Sequence, residues 1–81
     1  MTKTKILHKL QQQLARQCRL SFIYQQHGQI EKVEAVDKRI WAIFWSGLDL
    51  LGDSWEAKLD DALYQARLDA RTFHKRLNST N

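Results

Sequence analysis

Three histidines, one cysteine and a short row of carboxylates are the side chains most able to do chemistry in this 81-residue chain. His8, His27 and His74 lie far apart and form neither a His-x-x-x-His nor a Glu-x-x-His pair. Tetrahedral zinc needs three or four ligands, usually at short spacings, so these histidines read as surface residues and no metal is assigned. Glu31, Glu34 and Asp37 step by three, which makes their carboxylates neighbours on one helix. Such a row can hold a hard cation, but Glu34 also has Lys38 four residues on, the spacing of an ordinary helix pair. The surface pair is the simpler account. Asp37 falls within an apolar arc beside Trp41, where a carboxylate needs a partner. An arginine across a helix–helix edge is the expected one.

Cys18 has no histidine in its own segment to take up a thiol proton, and it lies on an apolar stripe, so it reads as a small core residue. As the only cysteine it forms no internal disulfide, which fits a reducing cytoplasm. No glycine-rich phosphate loop and no nucleophile elbow occur. The chain therefore reads as a non-enzyme, with no catalytic residue, no cofactor and no evident small-molecule substrate.

What remains is binding chemistry, of two kinds. Trp41, Phe44, Trp45 and Leu48 bring three large rings within five residues, and aromatic side chains dominate the energetics of protein interfaces. This cluster points to a protein partner or a homodimer. Against it stands the reading that both tryptophans complete the core. Second, Lys5, Lys9, Gln12, Arg16 and Arg19 recur at steps of four, three, four and three, a polar basic ridge about 20 Å long at helical rise. Tyr64, Arg67, Arg71 and Lys75 make another basic stripe. Bases can neutralise phosphates, and glutamine can bond phosphates or base edges, so nucleic-acid binding is the alternative. Its counterweight is that every soluble helix needs a charged face, and a net charge of +4 diluted by nine acids is modest.

The elements that must position these residues follow from periodicity. Over residues 30–51, Ile30, Val33, Val36, Ile40, Ile43, Phe44, Leu48 and Leu51 share one broad helical face with Trp41 and Trp45 on its flank. Over 54–77, Trp55, Leu59, Ala62, Leu63, Ala66, Ala70, Phe73 and Leu77 form a stripe. Asp53 or Ser54 can cap its start, and Glu56, Asp60 and Asp61 complement the positive end of its dipole. Over 3–26, Ile6, Leu7, Leu10, Leu14 and Cys18 share a face. After Arg19 the phase is lost, and Leu20, Phe22 and Tyr24 alternate with polar neighbours. A β-hairpin near residues 19–36, giving an α+β fold, is the competing reading; otherwise Gly28 closes the first helix.

With no proline and glycines only at 28, 47 and 52, long helices are favoured. The expected fold is all-α over residues 1–81, one three-helix up-down-up bundle able to dimerise. A composition 43% hydrophobic and 27% charged suits a globular domain rather than a disordered one. Residues 40–51, the most apolar stretch, contain Asp49 and fall short of the ~20 residues a membrane span requires. The basic N-terminus lacks the apolar run of a secretion signal. Together these features predict a small cytoplasmic regulator, adaptor or inhibitor acting through protein contacts, and no membrane association.

Overall fold

Residues 2–79 are described by a computed structural model, with side chains described for residues 2–73. Three α-helices account for most of the chain: α1 (Lys3–Gln26), α2 (Ile30–Leu51) and α3 (Glu56–Ser79). No strand occurs among the described residues, and the hairpin alternative near residues 19–36 is not supported: α1 runs unbroken to Gln26.

Local chemistry explains each boundary. Thr2 caps α1, its hydroxyl oxygen accepting from the Lys5 amide at 3.3 Å. At the other end Gly28 adopts φ +67°, a left-handed conformation open to glycine without a Cβ clash. The Gly28 amide donates to the Gln25 carbonyl and the Gln29 amide to the Tyr24 carbonyl. These are the paired five-to-two and six-to-one bonds of a Schellman motif, which satisfies the last carbonyls of α1 and turns the chain sharply. Gly52 (φ +95°) closes α2, its amide bonded to the Leu48 carbonyl at 2.8 Å. A single 3-10 turn, Asp53–Trp55, then leads into α3. α3 therefore starts at Glu56, two residues later than the start at 54 expected from periodicity, the intervening residues forming the 3-10 turn.

The helices do not share the core equally. α1 packs along both α2 and α3, whereas α2 and α3 touch each other little. From α1 come Leu10, Leu14 and Cys18; from α2 Val36, Ile40, Phe44 and Leu51; from α3 Leu59, Ala62, Leu63, Ala66 and Ala70, all buried in one cluster. The alanines of α3 let its backbone come close to α1. This layout also explains the lost phase after Arg19. A helix with a neighbour on either side buries residues over a wide arc, so Leu20, Phe22 and Tyr24 are each half-buried against the core while pointing different ways. Ser21 is the one buried polar residue among those described.

Candidate protein-interaction surface

α2 carries the aromatic cluster, and its geometry divides the four expected interface residues. Val36, Ile40, Gly47 and Leu51 mark the buried line of the helix. Phe44, four residues beyond Ile40, continues that line and is only 3% exposed. Trp41 and Trp45 each lie one residue further round, about 100° toward solvent, and are 45% and 56% exposed. Both indoles rest edge-on against the Phe44 ring, with centroids 5.6 Å and 5.3 Å away. Phe44 therefore buttresses the surface from beneath and presents nothing to a partner. Leu48 is half-buried against the core. The solvent-facing pair is Trp41 and Trp45.

Two further apolar exposures do not follow from the stripe assigned to this helix. Ile30, placed on the core face by periodicity, is 69% exposed at the first turn of α2. Leu50 is 62% exposed and borders an open groove with Ile6, Leu10, Gln13, Ile43 and Ser46 between α1 and α2. A groove made by two helices has no signature in either segment alone, although the seven-residue spacing of Ile43 and Leu50 marks one wall.

The basic residues form two separate surfaces. Lys5, Lys9, Gln12, Arg16 and Arg19 are all exposed on the side of α1 turned away from its buried line. Here the Gln12 amide lies 3.3 Å from a His8 ring nitrogen, and the Arg19 guanidinium stacks 4.5 Å over the Phe73 ring. On α3, Tyr64, Arg67 and Arg71 are also exposed. Arg67 and Arg71 line a cavity of about 50 Å³ with Cys18, Ser21, Phe22 and Gln25. Those four α1 residues face away from Lys5, Gln12 and Arg16, so the two stripes do not merge into one basic face. Lys75 falls outside the residues whose side chains are described, as does His74.

The groups considered for chemistry are dispersed as well. His8 and His27 are exposed, and so are Glu31 and Glu34. Among the described residues no three His, Cys, Asp or Glu side chains gather to hold a metal ion. Asp37 is half-buried, and its partner is not the expected arginine: it accepts from the Ser21 hydroxyl at 3.4 Å, and Ser21 in turn accepts from the Gln25 amide at 3.2 Å. Cys18 is buried; burial pushes its thiol above the usual range, the positive charge of Arg67 opposes that shift, and Asp37 adds to it. A thiol held protonated in this way is a poor nucleophile. No helix among the described residues is long and apolar enough to cross a membrane.

No family model, curated protein or solved structure matches this chain.

Proposed function

We propose that this protein is a non-enzymatic regulator, adaptor or inhibitor that works in the cytoplasm by binding protein through the outer side of α2. The observation that carries this reading is the pair of half-exposed tryptophans, Trp41 and Trp45, both propped on the buried ring of Phe44. A supported indole loses little conformational freedom on binding, which is why rigid aromatics serve as interface anchors. Covering the exposed half of each indole, roughly 100 Å² of apolar surface, would stabilise a complex by about 2 kcal/mol. In this reading the helices alternate up, down and up. Ser21 late in α1 meets Asp37 early in α2, and Leu10 early in α1 meets Gly47 late in α2. Such an arrangement leaves the outer side of α2 clear along its length.

The test is photocrosslinking in the native cell, with p-benzoylphenylalanine replacing the exposed Glu34, which lies on the same side of α2 about two turns before Trp41, and Gln65 on α3 as the control position. The expected result is a protein adduct from position 34 that vanishes in the Trp41→Ala, Trp45→Ala background. Equal adducts from both positions, or none from position 34, would overturn the reading.

One observation favours nucleic acid as a second reading: all five residues of the α1 ridge are exposed, and no acid occurs in the first thirty positions. Retention on DNA or RNA that weakens steeply between low and moderate salt, and is lost in Arg16→Ala, would support it.

A further inference from the structure

The outermost line of α2 holds a second pattern. Glu31, Ala35, Lys38, Ala42, Trp45 and Asp49 recur at steps of four, three, four, three and four. At about 100° per residue their mean direction lies opposite that of Val36, Ile40, Gly47 and Leu51. All six are exposed. Steps of three and four trace the line along which one helix meets another lying beside it; here that seam is half charged rather than apolar, and α1 and α3 leave it uncovered.

From this pattern we infer that the occupant is a second copy of the chain, its α2 lying antiparallel across the first with a two-fold axis between residues 43 and 44. The inference rests on the proposed role of the α2 surface and names its partner. Charge complementarity selects both orientation and register. A parallel pair sets Glu31, Lys38 and Asp49 each against its own copy, repulsive at three levels. An antiparallel pair with its axis at residue 40 sets Glu31 against Asp49. With the axis between 43 and 44, Lys38 faces Asp49 of the other copy and Trp45 faces Ala42, a large side chain over a small one. The symmetry repeats both contacts, so two ion pairs bracket two Trp–Ala contacts within about 16 Å of helix. Trp41, beside Trp45, closes the edge of the same seam.

Sedimentation equilibrium with charge-reversal variants decides the matter. The wild-type chain is expected to dimerise. Lys38→Glu places acid against Asp49 and Asp49→Lys places base against Lys38, so each variant alone should weaken the dimer about tenfold or more. Mixing the two variants restores opposite charges at both pairs, and a heterodimer of near wild-type affinity should form. That recovery, with unchanged circular-dichroism spectra, separates a lost interface from a lost fold. A dimer indifferent to both reversals, or variants that stay monomeric when mixed, would overturn the register. A wild-type monomer whose position-34 adduct contains a different protein would end the self-association inference and leave the interaction surface standing. A monomer with no adduct would remove both.

Discussion

Gly47 of α2 stands directly against Leu10 of α1: a β-carbon on the glycine would lie 2.7 Å from a leucine methyl, and 3.4 Å from a methyl of Leu59. The closest atom is the free end of a side chain that borders an open groove, so Leu10 can swing aside for one methyl group. Alanine in a helix interior is favoured over glycine by about 0.8–1 kcal/mol, comparable to the cost of moving Leu10 off its rotamer. Gly47→Ala should therefore stay within about 1 kcal/mol of the parent in urea denaturation. Gly47→Leu, with no room between Leu10 and Leu59, should lose about 3 kcal/mol. Equal losses would show that the two helices do not approach this closely.

Leu14 and Leu50 are the same residue type at opposite extremes of burial, 0% and 62% exposed. Truncating Leu14 leaves a void at the centre of the helix that touches both neighbours, and should cost about 2–5 kcal/mol. Leu50→Ala should change stability by less than about 0.5 kcal/mol. Thermal melts of the two variants compare them directly, and a Leu14 variant as stable as the Leu50 one would contradict the central place of α1.

Ser21 and Asp37 should behave as a coupled pair. Ser21→Ala leaves a half-buried carboxylate without its hydroxyl donor, and Asp37→Ala leaves the hydroxyl with only Gln25. In a double-mutant cycle the two losses should fall short of additivity by about 0.5–1 kcal/mol. Strict additivity would mean that the bond contributes nothing.

Cys18 gives the protein an alkaline liability. Its folded-state thiol is held above the ordinary value of 9.0, chiefly by burial. Below that value both folded and unfolded chains keep the proton and the thiol contributes no pH dependence. As pH rises past it the unfolded chain ionises first, and stability falls until the folded-state value is reached. Wild type should therefore lose more stability than Cys18→Ala as pH is raised past the ordinary thiol value of 9.0. Parallel curves for the two proteins would exclude a perturbed thiol.

The limits of what the sequence reveals show at particular residues. Periodicity locates α2 at Ile30–Leu51 because its core line, Val36 through Leu51, meets one packing surface and so keeps helical phase. The end of α1 is harder to read, since the mixed directions of Leu20, Phe22 and Tyr24 imitate a strand when the helix is considered alone. The apparent alternation comes from having a neighbour on each side. Ile30 and Phe44 illustrate the same limit at the surface. Periodicity puts both on the core face of α2, and only the positions of α1 and α3 decide that Phe44 is enclosed and Ile30 is left in water.

Three helices, their glycine-closed ends and the seam of alternating charge along α2 are set by residue order, because capping, backbone freedom and helical pitch act over a few residues. The central place of α1, the Ser21 partner of Asp37, the separation of the two basic stripes and the exposure of Trp41 and Trp45 were decided by tertiary structure. Each depends on which helix lies beside which, and that is settled by the burial of distant surfaces against one another rather than by any local preference.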